Sequence, residues 1–244
     1  MRAALALIVA ATLAVVAVPT RAAAADPDAV RTTPPVAART VTLDGVRVRL
    51  RAGTTQVVTV NHTGGHDARV ALHVLRDRGW TTVRTTTDGR IGYGGLVRGD
   101  RRRQGTGTTP LGTYRLTSTF GTHARRPAWA LPHRRIEAGD FWVQDNASRW
   151  YNTYRNQRWG GFRWWLPASH PESSERLTDY GTQYEHVVVM DYNAAQVRHR
   201  GSGIFLHVNG RGATAGCVSA PRGFLRMLMV RLDPAQRPVI AIGR

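Results

Sequence analysis

The sequence predicts a mainly β domain, a sandwich or a barrel, with one marked helix near its C-terminus. Short runs of alternating apolar and polar residues recur from Val41 onward, and turn-forming residues separate them. One segment alone, after residue 219, repeats its apolar residues at helical spacing. A length of about 220 residues beyond the N-terminal apolar segment suits a single all-β domain. We therefore expect one β domain rather than two smaller ones.

The strands are predicted from alternation and turn chemistry. Val41 and Leu43 lead into the pair Asp44-Gly45, after which the alternation resumes, and this pattern is the strongest short signal for a β-hairpin. A second pair, Asp88-Gly89, predicts another turn. Further strands are predicted at 56–60, 70–75, 80–83, 114–120, 187–190, 204–208 and 239–242.

The helix is predicted from its spacing and its boundaries. Ser219 is the expected N-cap, and Pro221 falls near the first turn, where proline is tolerated. Asp233-Pro234 is the expected stop, because the residue before a proline disfavours helical backbone angles. The apolar face comprises Phe224, Leu225, Leu228 and Leu232.

The N-terminus has the organisation of a secretory signal. Arg2 precedes a continuous apolar run over 3–18, and small residues over 22–25 offer a cleavage site. We expect a signal peptide at 1–25, a proline-containing linker at 26–40 and one domain at 41–244. The apolar run is short for a membrane span, although an uncleaved anchor is the alternative. The mature chain is therefore expected to be secreted to the cell envelope, with no stable membrane insertion.

The net charge of +18 comes entirely from arginine, because the sequence contains no lysine. The arginines are spread along the chain, and no motif for base stacking or groove entry accompanies them. We therefore predict no nucleic-acid partner. Attraction to an acidic polymer such as a bacterial cell wall fits the charge.

Cys217 is the single cysteine, so it cannot form a disulfide within the chain. His207 lies ten residues earlier, at the end of a predicted strand, and a glycine-rich loop joins the two. A thiolate is a nucleophile, a histidine is a common base, and backbone N–H groups around Gly216 and Cys217 can face an oxyanion. The spacing alone leaves open a buried, inert thiol as the alternative. If the pair is preformed, we expect a depressed Cys217 pKa.

Two segments carry a resemblance to a known family. IFLHVNGRGATAGCVSAP, over 204–221, resembles the catalytic segment of YkuD-type L,D-transpeptidases, and GTGTTPLGTYRLTSTFG, over 105–121, resembles a glycine-rich segment of the same family. WVQDNASRWYN and HVVVMDYN are similar to a secreted branch of it. The similarity runs from about residue 41 to the C-terminus.

The resemblance implies roles for particular residues. Cys217 matches the family's nucleophile and His207 its general base, while Gly216 and Cys217 would supply oxyanion donors. The candidate substrate contacts are Thr214, Ser219 and Asn209. The sequence departs from the family motif at Ala215, where a second histidine is common, at Ser219, where arginine is usual, and at Val208, where glycine or serine is common.

The implied reaction is acyl transfer on peptidoglycan stem peptides. The thiol would attack the carbonyl between the third and fourth residues of a tetrapeptide stem and expel D-alanine, and an amine of a neighbouring stem would complete a 3-3 cross-link. The alternatives are an L,D-carboxypeptidase or hydrolase with the same pair, and a non-catalytic cell-wall-binding protein. The resemblance implies no cofactor and no metal, and the sequence leaves the oligomeric state open.

Other histidines and the tryptophans give weaker signals. His62 and His66 have a metal-like spacing, but the glycines between them predict a turn. His73 is expected to be exposed or satisfied locally, and His186 to lie near the catalytic pair. Five of the seven tryptophans fall in the segment 142–165, which predicts either core packing or a platform for sugar or peptide.

Overall fold

A computed structural model describes residues 39–244, whose main feature is a closed β-barrel. Eight strands form the circuit β7–β12–β13–β14–β5–β4–β3–β15, and β15 pairs with β7 to close it. The strands are β1 Arg39–Leu43, β2 Val46–Leu50, β3 Gln56–Gly64, β4 Asp67–Arg76, β5 Gly79–Arg90, β6 Leu96–Arg98, β7 Thr109–Gly121, β8 His133–Arg135, β9 Asp140–Trp142, β10 Tyr154–Asn156, β11 Glu175–Arg176, β12 Val187–Met190, β13 Phe205–Val208, β14 Val218–Ala220 and β15 Val239–Gly243. This architecture confirms the predicted mainly β class.

One α-helix, α1 (Arg222–Arg231), and four short 3-10 helices accompany the strands in the described residues. The 3-10 helices span Gln157–Trp159, Leu177–Tyr180, Gln183–Glu185 and Pro234–Gln236. Helix α1 packs its apolar face into the main core, which joins it to the inward-facing residues of the barrel. Burial of each such side chain contributes about 1.5–3 kcal/mol to stability. The buried members of this core include Leu72, Val188, Leu206, Leu225, Leu228 and Ile240.

The predicted hairpin at 41–50 is confirmed. Strands β1 and β2 pair antiparallel, and Leu43 faces Val46 across a two-residue turn. Asp44 and Gly45 both have positive φ, at 50° and 79°, which is the conformation that an Asp-Gly pair accommodates. The buried side of β2 packs against the barrel at Val57.

Two predictions about local structure are wrong. Asp88-Gly89 does not form a turn, because both residues continue β5 at an irregularity in its pairing with β4. A side chain at Gly89 would meet Val70 at 2.5 Å, so glycine is needed there for close strand packing. Ser219 is not the helix N-cap, because it lies in β14, and Pro221 takes the cap position instead.

The predicted signal peptide at 1–25 and the linker up to residue 38 lie outside the described residues and stay predictions. Residues 39 and 40 of the predicted linker belong to β1. Over residues 39–244, no helix is long and apolar enough to span a membrane.

Candidate active site

The barrel brings His207 and Cys217 to one cleft. Strand β13 carries His207 and runs parallel to β14, with Leu206 opposite Val218. Cys217 directly precedes β14. Because side chains alternate along strands, both residues present their side chains to the same side of the sheet. Both line a cleft of about 320 Å³.

His207 is held as a neutral base. Its Nδ1 lies 2.8 Å from the carbonyl oxygen of Val208, and a carbonyl can only accept, so the proton is on Nδ1. The lone pair is therefore on Nε2. Burial lowers the pKa of His207 to about 4, which keeps the ring uncharged at neutral pH.

Cys217 is a protonated thiol whose hydrogen bonds are satisfied. Sγ–H donates to the carbonyl of Gly203 at 3.3 Å, and the N–H of Phe205 donates to Sγ at 3.4 Å. Burial raises the pKa of Cys217 to about 12, and the nearby carboxyl of Glu175 adds to the rise. The expectation of a depressed Cys217 pKa is therefore wrong. The residues of β14 separate the thiol from the start of α1, so it does not sit at the helix N-terminus.

Thr214 organises the loop that carries the thiol. Its Oγ1 donates to the carbonyl of Cys217 at 2.6 Å and accepts from the N–H of Gly216 at 3.2 Å. The predicted oxyanion donor at Gly216 is therefore already engaged. Gly216 has φ +128°, and a side chain there would come within 2.9 Å of the carbonyl of Thr108, so the loop requires glycine.

The three residues suggested as substrate contacts have different placements. Thr214 lines the cleft. Ser219 is completely buried in β14, and its hydroxyl has no hydrogen-bond partner among the described residues. Asn209 donates from its side chain to the carbonyl of Asp88 and from its N–H to that of Ala220. Neither Ser219 nor Asn209 belongs to the residues that line the cleft.

Sequence reasoning missed several polar residues of the cleft. Glu175 enters from β11 and accepts a 2.5 Å hydrogen bond from the hydroxyl of Tyr184, whose ring packs edge-on to His207 with centroids 5.5 Å apart. Arg102 is 6% exposed and donates to the carbonyls of Thr108 and Arg200. These residues lie far from Cys217 in the chain, so no local motif around the thiol marks them.

A second group of polar residues lies at another cavity, of about 660 Å³. His123, Glu185 and His186 bring potential ligand atoms within 4.8 Å of one another. However, Arg222 pairs with the carboxylate of Glu185, and Arg226 lines the same cavity. These positive surroundings oppose cation binding, so we interpret the trio as a polar cluster around Glu185, in which His123 bonds to the carboxylate at 3.1 Å. His186 lines this cavity and is not among the residues that line the Cys217 cleft.

The remaining histidines have local partners. His62 lies near the β3–β4 turn, with Nε2 3.0 Å from the carbonyl oxygen of Gly65, as the predicted turn requires. His73 is buried rather than exposed, and its two ring nitrogens bond to Thr59 and Thr82 at 3.0 Å each. The local satisfaction predicted for His73 is thus confirmed.

The tryptophan-rich segment divides between core and surface. Trp142 is buried against Phe120 and Phe205, whereas Trp159 and Trp165 are 52% and 63% exposed. Arg158 lies over the ring of Trp159, with its guanidinium 4.9 Å from the ring centroid. Core packing therefore applies to Trp142, whereas a platform formed by the exposed tryptophans stays a prediction.

Comparison with known proteins identifies the domain. A solved structure from Bdellovibrio bacteriovorus, Bd1075, matches at 15% identity and a TM-score of 0.37, and the match covers 78% of this chain and 48% of that one. No curated protein matches the chain. The family model of YkuD, the L,D-transpeptidase catalytic domain, matches residues 57–240, and such domains act on peptidoglycan in the cell envelope. The chain belongs to the YkuD family of L,D-transpeptidase catalytic domains.

Proposed function

We propose that the protein is a secreted L,D-transpeptidase in which Cys217 is the nucleophile and His207 the general base. One observation carries this proposal: adjacent parallel strands hold the thiol and a neutral imidazole on one side of one cleft. The hydrogen bond to Val208 directs the imidazole's basic nitrogen away from the backbone. The substrate would be a tetrapeptide stem of peptidoglycan.

Because the Cys217 thiol and the His207 imidazole are both neutral at rest, the thiol proton must be transferred during the attack. When Sγ attacks the carbonyl between the third and fourth stem residues, its proton passes to Nε2 of His207 as the C–S bond forms. The imidazolium keeps its Nδ1–H bond to Val208, and the N–H of Phe205 stabilises the developing thiolate. His207 then returns the proton to the departing amine, the C–N bond breaks and D-alanine leaves. The product is a thioester on Cys217.

The oxyanion of the tetrahedral intermediate requires a donor in the cleft. Because the N–H of Gly216 bonds to Thr214, we assign the Cys217 N–H to this role. The two hydrogen bonds of Thr214 hold the peptide groups on either side of that N–H. Thr214 would therefore act through the loop backbone.

The acceptor decides the product. An amine of a second stem gives a cross-link between third residues, whereas water gives a tripeptide and makes the enzyme an L,D-carboxypeptidase. The exposed Trp159 and Trp165, interleaved with arginines, support cell-wall binding as an accompanying property. They also provide the basis for the alternative of a binding protein without turnover.

The proposal is tested by product analysis. The protein and its Cys217→Ala variant are incubated with disaccharide-tetrapeptide muropeptides, and products are identified by mass spectrometry. We expect cross-linked dimers lacking one D-alanine, and a loss of roughly 10⁴-fold or more in the variant. The matched control is His66→Ala, which changes an exposed side chain on the β3–β4 turn.

The other outcomes separate the alternatives. Tripeptides without dimers indicate the carboxypeptidase. Turnover that persists in Cys217→Ala contradicts both enzymatic assignments. Unchanged muropeptides with retained sedimentation on isolated cell walls indicate a binding protein.

A further inference from the structure

Glu175 is an acidic group of the cleft that the acylation step does not use. Strand β11 places it opposite Trp142 of β9, at the wall of the cleft that contains Cys217 and His207. A methyl group built on Gly203 would lie 3.5 Å from Oε2 of Glu175, and the carbonyl of Gly203 accepts the Cys217 thiol. The carboxyl group and the thiol therefore both lie beside Gly203.

The surroundings of Glu175 leave its charge uncompensated. Oε1 accepts from Tyr184 at 2.5 Å, and Oε2 accepts from the side chain of Gln144 at 3.4 Å. Both donors are neutral, and within residues 39–244 Glu175 forms no ion pair. Glu175 is half-buried, and a carboxylate that is partly removed from water without a cation is costly, so this site gains most from a ligand that brings a positive charge.

We propose that Glu175 receives the acyl acceptor, binding the ammonium group of the incoming stem and taking one proton from it. The inference rests on the proposed function and deepens it, because it assigns the residue that binds and deprotonates the acceptor amine. It also gives the cleft two bases with separate tasks. His207 serves the thiol, and Glu175 serves the amine.

The acceptor amine resolves the thioester by aminolysis. The ammonium transfers one proton to the Glu175 carboxylate and becomes a neutral amine. Its lone pair attacks the thioester carbonyl, a C–N bond forms, and the C–S bond breaks. The second proton on nitrogen passes through Nε2 of His207 to the departing thiolate. Cys217 returns to the thiol, and the proton on Glu175 is released to solvent.

The acidity of Glu175 suits this task. Burial raises its pKa to about 7, while the hydrogen bonds from Tyr184 and Gln144 limit the rise. The titratable groups that interact with it are Tyr180, Tyr184 and Cys217, whose pKa values are all raised, so they remain neutral near pH 7. The neutral His207 and the charged Arg102 and Arg211 also line the cleft, and within residues 39–244 none of the three forms a hydrogen bond or ion pair with Glu175. A base works best when its pKa lies near the working pH.

The test measures how the acyl-enzyme partitions between amine and water. The protein is given disaccharide-tetrapeptide muropeptides, and the ratio of dimer to tripeptide is followed from pH 5.5 to 9. We expect Glu175→Gln to lower this ratio roughly 10²-fold and to abolish its rise near pH 7. Glu175→Asp should restore part of the ratio. Tyr184→Phe should move the rise to higher pH, because the Tyr184 hydrogen bond lowers the pKa of Glu175.

Controls distinguish a local effect from misfolding. Glu137→Gln makes the same chemical change at an exposed residue and should keep the ratio of the unaltered protein. Circular dichroism and thermal unfolding verify that each variant folds. If Glu175→Gln does not fold, the Glu175→Asp ratio and the Tyr184→Phe pH shift decide the matter.

Three results overturn the inference. They are an unchanged ratio in Glu175→Gln, an equal fall of both products, and slower acylation with an unchanged ratio, which would place Glu175 on the donor. A failure of the proposed function looks different. In that case the unaltered protein forms no thioester on Cys217, as intact-protein mass spectrometry would show.

Discussion

The Cys217 cleft and the His123–Glu185–His186 cluster contain similar groups in opposite electrostatic settings. Each combines buried histidine with a glutamate. Burial lowers the pKa to about 4 for both His207 and His186. The glutamates differ: the pKa of Glu175 is raised to about 7 by burial. Burial acts in the same direction on Glu185, but the His123 hydrogen bond and the Arg222 charge outweigh it and lower the pKa.

Charge compensation therefore separates the two regions better than burial does. In the cluster, the carboxylate of Glu185 is already paired with Arg222, so a cationic ligand would gain little binding free energy from it. In the cleft, burial holds the thiol and the imidazole neutral and raises the pKa of Glu175, and no cation pairs with Glu175 among the described residues. Ionisable groups that the fold leaves without a charged partner are typical of functional sites, because a bound substrate can supply the missing charge.

Replacing each of the two buried histidines with glutamine should affect the rate of thioester formation very differently. His207→Gln should slow formation of the thioester by about 10²–10⁴-fold, because the thiol loses its base. His186→Gln should change the rate by less than about threefold, since His186 lines the other cavity. Intact-protein mass spectrometry after mixing with tetrapeptide measures both rates. A comparable loss in both variants would contradict the separation of the two regions.

The pH dependence of stability should show what the regions share. Both histidines have folded pKa values of about 4, below the ordinary 6.5, so the unfolded chain binds protons first as pH falls. Their stabilising contribution is complete above about pH 6.5 and is lost progressively towards pH 4, by about 2 kcal/mol per histidine between pH 7 and 5.

Urea unfolding at pH 7, 6 and 5 measures this loss. His207→Gln and His186→Gln should each reduce it by a similar amount. The groups facing His186 are Glu185, His123, Arg126 and Arg226, and the two arginines disfavour its protonation. His66→Gln is the exposed control. A reduction in one buried variant alone would show that burial does not affect the two histidines equally.

The sequence predicted those features that short-range chemistry determines. The hairpin at Asp44-Gly45 formed because its two residues adopt positive φ, and the apolar runs at 187–190 and 204–208 became central strands. Asp88-Gly89 failed as a turn signal because packing against β4 requires a glycine there. Local propensity gave way to tertiary packing at that position.

The pairing of Cys217 with His207 could be anticipated because one loop joins them, whereas Glu175 could not. It lies 42 residues before Cys217 in a two-residue strand, and only the pairing of β11 with β9 places it in the cleft. The pKa of Cys217 was mispredicted for a related reason. The expected N-cap at Ser219 placed the start of a helix just after the thiol, but β14 lies between the thiol and the helix, and burial dominates.

The cluster should respond only weakly to zinc. The ligand atoms of His123, Glu185 and His186 are close enough to suggest a site, yet Arg222 occupies the carboxylate. Zn²⁺ should therefore raise the melting temperature of the Cys217→Ala variant, which lacks the competing thiol, by less than about 1 °C. Adding Arg222→Ala frees Glu185, and the same zinc concentration should then stabilise the protein measurably. A large shift before Arg222 is replaced would show that the cluster binds cations despite its arginines, and charge compensation would no longer distinguish it from the cleft.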